Sequence, residues 1–573
     1  MPHDFFSHAT TPAGYLRAAR EVAAHPEWFP IRRGVALLSS FSANFLIPYL
    51  TVEAAKRNLG LNITHPGFNQ IEAELLAPTS ATWRSQPELF LILLLPFDAT
   101  STTFVERLRA LCQGIRAKST APIVISNFFN TPDALAGLAN PLAASRERAA
   151  IEEANRALTQ LHNEFAGLSV FDLAASVETH GHRTMFDTKL EFYARIPFSA
   201  QGQQFLGAAL ARHVRAIFSP PAKCAVLDLD NTLWGGVLGE DGPGGIKLGE
   251  DFPGNIFKAF QRHLLALRES GVLLALASKN NEEEVRAVFL QHPDMVLRWE
   301  HFSATRINWQ HKSVSLREIA AELNLGADSL VFLDDNPAER EEVRRNAPEV
   351  RVLDLPADPL AYESALTACD WFDRLDFSQD DSVRADQYQA QNTRTQAQHA
   401  APSLDAYLEN LAMVATVGFI DAETLSRASQ LIAKTNQFNL TTRRHSAPEI
   451  EALVQSGFGL WLRLQDRFGD NGLTALAIAV PEKDALWRID TFLLSCRIIG
   501  RSAETALLHC VLREIAKRGG QTVLGEFIVT GRNSICADFY ARHGFGAENE
   551  TLWRLDLARS TVQFPPFIFL AQP

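Results

Sequence analysis

Two aspartates that stand two residues apart, directly after a short apolar run, can carry out phosphoryl chemistry. The run is Cys224-Ala-Val-Leu227, and Asp228-Leu-Asp-Asn-Thr232 follows it. One carboxylate can attack phosphorus, and a second carboxyl group beside it can protonate the leaving group and then activate water. The spacing therefore predicts Asp228 as nucleophile and Asp230 as acid/base. A divalent cation with oxygen ligands is also expected, because a carboxylate is otherwise repelled by a phosphate dianion.

Other polar groups follow later apolar runs in the same region. Ser278 ends a second run, Asp334 and Asp335 follow a third, and Lys312 stands at the head of a predicted helix. A hydroxyl can donate to a phosphate oxygen, and an ammonium can balance charge on the transferring group. Each residue type alone is common in caps, turns and surfaces. Their joint order at strand ends and helix starts indicates one site.

Alternating strands and helices must position these groups. Four apolar runs of strand length occur, at residues 224–227, 272–277, 330–333 and 350–353. Apolar positions over 256–269 lie on one helical face, and Asn281 is a good residue to begin the next helix. The β-α-β-α-β order predicts a doubly wound parallel sheet, and ligands bind at the carboxyl ends of the strands in such a sheet.

The flanking regions predict two more domains. Runs at 35–38, 89–97, 123–126 and 168–171 predict another parallel sheet, and from residue 404 strand candidates at 460–464, 473–480 and 523–529 surround a helix at 502–518. The predicted fold class is α/β multidomain. Its domains are residues 1–218, 219–375 and 404–573, with a linker over 376–403.

Composition excludes several classes of protein. The chain has 573 residues, 46% hydrophobic and 21% charged, which excludes both disorder and a single compact domain. The net charge of −12 argues against a nucleic-acid partner. The longest apolar run, at 89–97, is too short to cross a membrane, and the start lacks a signal-peptide pattern, so a cytoplasmic protein with reduced cysteines is expected.

The acidic motifs resemble those of the haloacid dehalogenase-like phosphohydrolase superfamily. The matching residues are Asp228, Asp230, Thr232, Ser278, Lys312, Asp334 and Asp335. The resemblance implies Mg²⁺ held by Asp228, the backbone carbonyl of Asp230 and an acid of the last motif. Asn231 departs from the glycine usual in that superfamily. The 50 positions from Asp228 to Ser278 leave no room for a sizeable cap domain, so a capless site is expected.

Longer strings resemble the narrower FkbH-like family over nearly the whole chain. They are Leu233-Trp-Gly-Gly-Val-Leu-Gly-Glu-Asp-Gly242, Ile307-Asn-Trp309 with Lys312, Phe332-Leu-Asp-Asp-Asn-Pro-Ala-Glu-Arg340, and the segments 434–444 and 466–472. The resemblance implies removal of phosphate from D-1,3-bisphosphoglycerate. It also implies loading of the glyceryl unit onto the phosphopantetheine thiol of an acyl carrier protein in polyketide or related secondary metabolism.

The C-terminal region offers a second candidate site. An Arg-x-x-Gly-x-Ser turn before a helix presents backbone N–H groups and arginines, which favour pyrophosphate. It resembles the coenzyme-A-binding turn of GCN5-related N-acetyltransferases (the GNAT fold), which also implies a cradle for phosphopantetheine. The predicted binding residues are Arg497, Gly500, Arg501, Ser502, Asn533 and Tyr540.

Acyl transfer can go directly to the carrier thiol or through a thioester on the enzyme. The second route needs a cysteine whose pKa is lowered by a cation or a helix start. Cys496 meets this description best because it precedes Arg497 and a predicted helix. Cys224 is a weaker candidate because it lies in a predicted buried strand. Most such cysteines are simply buried apolar residues.

The N-terminal domain faintly resembles the SGNH hydrolase fold. Ser39-Ser-Phe-Ser42 follows its first strand and Asn127 follows a later one. The Gly-Asp-Ser opening of that fold is absent, and Asp187 lacks the expected histidine. His180 and His182 lie nearby in a stretch typical of surfaces. We predict a degenerate, non-hydrolytic module for docking or substrate positioning.

Three functions remain open from the sequence. The leading hypothesis is the phosphatase and glyceryl transferase described above. The alternative is a phosphatase fused to an N-acyltransferase that acts on intermediates of surface polysaccharide. The third is a non-catalytic scaffold, which is disfavoured because crowded, unused carboxylates repel one another.

Overall fold

A computed structural model describes residues 9–101, 103–130, 146–375, 403–483, 485–531 and 533–571. The chain divides into two compact units, residues 1–221 with 370–376, and residues 222–369 with 377–573. Residues 370–375 thus pack with the N-terminal unit, whereas the sequence assigned them to the middle domain. There Arg57 Nε donates to Asp370 Oδ2 at 2.6 Å, and Arg215 Nη1 donates to the carbonyl of Asp370 at 2.6 Å. Three sheets with flanking helices make this an α/β multidomain protein.

The N-terminal sheet has five parallel strands in the order β2-β1-β3-β4-β5, an order found in flavodoxin-type doubly wound folds. Its strands are β1 (Ile31–Ser39), β2 (Leu59–Thr64), β3 (Leu89–Leu93), β4 (Ile123–Ser126) and β5 (Leu168–Phe171). Four of the five were predicted. Successive residues enter opposite cores, since Leu37 packs on one face of the sheet and Leu38 on the other.

Helices cover both faces of this sheet. They are α1 (Pro12–Ala24), α2 (Ile47–Ala55), α3 (Ile71–Leu76), α4 (Ala81–Arg84), α5 (Pro96–Ala99), α6 (Phe104–Arg116), α7 (Arg146–Glu164), α8 (Leu173–His180), α9 (His182–Met185), α10 (Thr188–Ala194) and α11 (Ala200–Phe218). The predicted strand at 89–97 ends early because Pro96 opens α5. Proline removes a backbone donor but suits the first turn of a helix.

The middle sheet is also parallel, in the order β10-β9-β6-β7-β8. Its elements are β6 (Cys224–Leu227), α12 (Leu238–Asp241), α13 (Gly254–Glu269), β7 (Leu273–Ser278), α14 (Glu282–Gln291), β8 (Phe302–Ile307), α15 (Lys312–Glu322), β9 (Leu330–Asp334), α16 (Pro337–Asn346), β10 (Arg351–Asp354) and α17 (Tyr362–Ala368). The strand order reverses between β6 and β9. A crevice for ligands is expected at such a switch point.

The C-terminal sheet is mixed. Its elements are α18 (Leu404–Asn410), β11 (Met413–Phe419), α19 (Leu425–Lys434), β12 (Phe438–Asn439), α20 (Ala447–Ser456), β13 (Phe458–Asp466), β14 (Gly469–Pro481), β15 (Leu486–Leu494), α21 (Ala503–Lys517), β16 (Thr522–Glu526), α22 (Phe539–Arg542), β17 (Gly546–Ala547), β18 (Leu552–Asp556) and β19 (Ile568–Ala571). Most neighbours are antiparallel, but β15 pairs with β16 in parallel, over four residues of each strand.

Across the ranges given above, no helix is both long enough and apolar enough to cross a membrane.

A glycine in β16 tests the packing of the C-terminal sheet. A Cβ at Gly525 would lie 2.2 Å from a ring carbon of the buried Tyr540. We expect Gly525→Ala to lower the free energy of unfolding by about 1–3 kcal/mol, because neither the strand nor the ring can move freely. Urea denaturation measures the change. Gly531→Ala is the control, since a Cβ there meets nothing within 4 Å. Equal stability of the two variants would contradict the packing described.

Candidate active site

The carboxyl edge of the middle sheet collects the predicted phosphoryl-transfer residues. Asp228 directly follows β6, Ser278 ends β7, Lys312 opens α15 and Asp334 ends β9. They line one cavity of about 340 Å³ together with Asp230 and Asp335. Parallel strands place their carboxyl ends on the same edge, so residues 106 positions apart in sequence become neighbours.

Three carboxylates crowd together in this cavity. Asp228, Asp334 and Asp335 each offer an oxygen, and these oxygens lie within 4.8 Å of one another. Burial, reinforced by the charge of Asp228, raises the pKa of Asp334 to about 7 and that of Asp335 to about 6. Oxygen ligands at this spacing suit Mg²⁺, whose charge would relieve the repulsion. The residues therefore fit the cation that the sequence predicted.

Lys312 neutralises part of this charge. Its Nζ donates to Asp228 Oδ1 and to the carbonyl of Ala277, and it lies 3.3 Å from Asp334 Oδ2. Only 3% of the residue is exposed. Burial alone would lower the pKa of Lys312, but the charges of Asp228 and Asp334 outweigh it and raise that pKa above its ordinary value. Lys312 therefore stays charged beside Asp228.

Asp230 is held by hydrogen bonds from neutral groups. Its Oδ1 accepts from Trp234 Nε1 and from the backbone N–H of Leu238, both at 3.0 Å. Its Oδ2 accepts from Asn280 Nδ2, also at 3.0 Å. Asn280 Nδ2 also lies 3.1 Å from Ser278 Oγ. This network fixes the rotamer of Asp230 and ties it to the end of β7.

Two positioning residues were missed by the sequence analysis. Asn280 lies two residues beyond Ser278 and precedes the predicted helix start at Asn281. Arg340 lay inside a quoted string without a role, and its Nη1 donates to the carbonyls of Asp334 and Asp335 at 2.7 Å each. One sequence feature could have indicated both residues: each lies a few positions after a candidate site residue at the end of a strand.

Asn231 and Thr232 shape the turn after β6. Asn231 has a φ of 53°, a left-handed conformation in which asparagine is tolerated better than most residues. Its Oδ1 accepts from the N–H of Gly236 at 2.9 Å. Thr232, predicted as a catalytic residue, is fully buried and does not line the cavity. It is better explained as part of the turn, because its N–H donates to the carbonyl of Leu229.

The segment between β6 and α13 forms no separate cap. It contains the short helix α12 and an isolated antiparallel bridge between Gly235 and Lys247. Between β7 and α15 the chain continues through α14 and β8. The cavity therefore lacks a cap domain within residues 222–369, as the spacing predicted.

At the second candidate site, in the C-terminal domain, three of the predicted binding residues are buried in the domain rather than exposed to a ligand. Arg501 is buried, with Nη1 donating to Asp466 Oδ2 at 2.9 Å and Nη2 donating to the carbonyl of Arg497 at 2.6 Å. Asn533 is also buried, and its Nδ2 donates to the carbonyls of Asn439 and Ile528. Tyr540 is buried, and burial raises its pKa. None of the three side chains is available to a pyrophosphate.

The backbone of the turn remains open. Gly500 has a φ of 79°, and a Cβ there would meet nothing within 4 Å. Ser502 is the residue before α21, with a φ of 59° and no side-chain hydrogen bond to the helix. Arg497 belongs to a short 3₁₀ helix, residues Cys496–Ile498. The prediction for the Cys496 thiol falls on a side chain outside the described part of the chain.

In the N-terminal domain the predicted hydrolase-like residues hold structural positions. Ser39 Oγ donates to the carbonyl of Phe41 at 2.7 Å, and Ser40 Oγ donates to Asp98 Oδ2 at 2.5 Å. Asn127 Nδ2 donates to Asp172 Oδ1 at 2.7 Å. Asp187 Oδ1 accepts from the N–H of Leu190 and so begins α10. These bonds connect loops within the domain.

Comparison with solved structures finds a similarity to a protein with a phosphatase domain. The N-terminal part of a Bacteroides fragilis protein, which contains a phosphatase domain and was crystallised as a complex with Mg, is 27% identical in sequence. The match covers 64% of this chain and 100% of that one, with a TM-score of 0.56. No protein-family model and no curated protein sequence matches the chain.

Several acetyltransferase structures match a smaller part of the chain, and two of them serve as examples. The Escherichia coli ribosomal-protein-S18-alanine N-acetyltransferase is 14% identical, covering 25% of this chain and 94% of its own, with a TM-score of 0.21. A GNAT-family N-acetyltransferase from Escherichia coli, solved with CoA, is 13% identical, covering 28% of this chain and 88% of its own, with a TM-score of 0.20. Scores this low decide nothing about activity.

Proposed function

We propose that the cavity at the edge of the middle sheet is the active site of a Mg²⁺-dependent phosphatase of the haloacid dehalogenase type. The convergence of three carboxylates, Lys312 and Ser278 on that cavity carries the proposal. The similarity to a Mg-bound phosphatase-domain structure supports it.

The residues divide the reaction between them. Asp228 attacks phosphorus, the bond to the leaving oxygen breaks, and Asp230 gives that oxygen a proton. Asp230, now ionised, takes a proton from water as the water oxygen attacks the aspartyl-phosphate and releases phosphate. Lys312 donates a hydrogen bond to Asp228 and so orients it, and the Ser278 hydroxyl lines the cavity, where it can donate to a phosphoryl oxygen.

Asp228, Asp334 and Asp335, with the backbone carbonyl of Asp230, would hold the metal ion. Bound there, Mg²⁺ supplies positive charge to the phosphoryl oxygens as phosphorus is attacked. The raised pKa values of Asp334 and Asp335 show how strongly this cluster resists carrying its full negative charge alone.

The finer proposal concerns the substrate. The FkbH-like strings support D-1,3-bisphosphoglycerate as the phosphate donor and a phosphopantetheinylated acyl carrier protein as the glyceryl acceptor. The absence of a cap within residues 222–369 is compatible with a bulky or tethered acceptor.

An N-acyltransferase is the second candidate for the C-terminal domain. The parallel pairing of β15 with β16 in an otherwise largely antiparallel sheet, followed by α21, favours it. Against it, Arg501, Asn533 and Tyr540 are buried inside the domain.

The nucleophile is tested by Asp228→Asn. We expect this variant to lose phosphate release from acetyl phosphate by roughly three orders of magnitude or more, because an amide does not attack phosphorus. Colorimetric phosphate measurement with Mg²⁺ checks the rate, and circular dichroism checks the fold. Asp328→Asn, an exposed aspartate away from the cavity, is the matched control. Unchanged release by Asp228→Asn would remove Asp228 from its role.

Binding of Mg²⁺ should depend on pH. The pKa values of Asp334, about 7, and Asp335, about 6, lie above those of free aspartates, so protons must leave before a cation binds. We therefore expect Mg²⁺ affinity to rise between about pH 5 and pH 8, with proton release on binding. Without Mg²⁺, the same groups lower the stability of the fold as pH rises through that window. Titration calorimetry in two buffers with different ionisation enthalpies measures the Mg²⁺ affinity and the protons released on binding. An affinity that does not change with pH would contradict the site.

The substrate proposal is tested by carrier loading. Full-length protein is incubated with D-1,3-bisphosphoglycerate, Mg²⁺ and a phosphopantetheinylated carrier, and the carrier is weighed by mass spectrometry. A glyceryl adduct supports the finer proposal. Acetyl-CoA consumption that needs an amine acceptor supports the N-acyltransferase instead. If Cys496→Ala still loads the carrier, the route through an enzyme thioester on that residue is excluded.

A further inference from the structure

We propose that Lys279 selects substrates that carry a second anionic group close to the phosphate, such as a carboxylate or another phosphate. Lys279 lines the same cavity as the carboxylates, and neither its charge nor its position is used by the phosphatase mechanism. The inference rests on the proposed phosphatase function and extends it to the class of substrate.

The other lysine of the cavity, Lys312, is buried and held by the protein. An ammonium group has three N–H donors. Lys312 Nζ contacts two carboxylates and one carbonyl, from Asp228, Asp334 and Ala277. The side chain is only 3% exposed, so little of it is open to a ligand. Lys312 can stabilise charge on the transferring phosphoryl group, but it does not reach the remainder of a substrate.

Lys279 is more exposed than Lys312 and makes fewer contacts with the protein. Its side chain is 34% exposed, and its Nζ donates to Glu339 Oε1 at 2.6 Å. Within the described ranges of the chain no second acceptor contacts it, which leaves two N–H donors for a ligand. An ammonium that is half-anchored and open to the cavity is suited to binding a carboxylate or phosphate oxygen.

The neighbours of Lys279 hold it in place. The carbonyl of Ser278 accepts from the N–H of Asn308 at 3.0 Å, which fixes the backbone before Lys279. Asn280, which follows it, bonds to Asp230 and Ser278. Glu339, in the first turn of α16, restrains the ammonium from the other side of the cavity. Pre-organisation of this kind lowers the entropy cost of binding a ligand.

The charges of the cavity explain why a second cation matters. Within the cavity, Asp228, Asp334 and Asp335 serve a metal ion, and Lys312 serves the nucleophile. A phosphate ester with a neutral leaving group needs no more positive charge than that. A substrate with a further anionic group would meet repulsion from Glu339 unless Lys279 receives that group.

Two substrates of nearly equal size test the inference. 3-Phosphoglycerate and glycerol 3-phosphate share a three-carbon skeleton and a phosphate, but only the first has a carboxylate. We expect full-length protein with Mg²⁺ to favour 3-phosphoglycerate in kcat/KM. In Lys279→Met that preference should fall by about tenfold to a hundredfold, the loss typical of a charge-assisted hydrogen bond.

Lys258→Met is the matched control. Lys258 also forms ion pairs, with Glu250 and Asp294, but does not line the cavity, so its loss should leave the preference unchanged. An equal fall for both substrates in Lys279→Met would assign Lys279 a structural role and overturn the inference.

The failure of the inference and that of the proposed function are distinguishable. If wild-type protein hydrolyses acetyl phosphate in an Asp228-dependent way but shows no preference for 3-phosphoglycerate, the inference is wrong and the phosphatase proposal stands. If it releases no phosphate from any of the three compounds, the phosphatase proposal fails and the inference fails with it.

Discussion

Repulsion among buried carboxylates is the constraint around which the middle sheet is organised. Three aspartates share a region less than 5 Å across at the switch point between β6 and β9. Burial and the charge of Asp228 raise the pKa of Asp334 to about 7 and that of Asp335 to about 6, so these two groups resist ionisation more than free aspartates do. Lys312 alone cannot balance three such groups. The proposed Mg²⁺ would supply further positive charge, and the remaining contacts of the site keep the carboxylates in place.

Those contacts are hydrogen bonds from residues that hold the reacting groups and their loops in position. Arg340 binds the carbonyls after β9, Asn280 joins Asp230 to the end of β7, and Asn231 uses a left-handed turn to reach the N–H of Gly236. A glycine at position 231 would adopt the same turn but would lose the hydrogen bond from Gly236. The departure from the usual glycine thus adds a contact rather than straining the turn.

The sequence predicted those strands that are continuous apolar runs, and those site residues that directly follow such a run. Central strands such as β6 are continuous apolar runs, and a parallel sheet necessarily brings their carboxyl ends together. The strands β2 and β8 were missed because Asn62, Thr305 and Arg306 interrupt their apolar pattern. Arg501, Asn533 and Tyr540 were assigned to a ligand because a motif fixes where a residue lies along the chain but not whether its side chain points outward or into the core.

In the C-terminal sheet, the Arg-x-x-Gly-x-Ser motif does not determine which backbone groups are open to a ligand. β15 and β16 pair over only four residues, so beyond Ile489 the two parallel strands no longer satisfy each other's backbone groups. The chain fills that place itself: β12 pairs with the far end of β15, and Leu440 links the carbonyl of Phe492 to the N–H of Ile528. An extended ligand could not hydrogen-bond to the backbone of β15 and of the segment after β16 at this place, because residues 438–440 already occupy those donors and acceptors. A pantetheine arm bound by this domain would therefore have to use other groups, and the open space beside Gly500 is one place where it could do so.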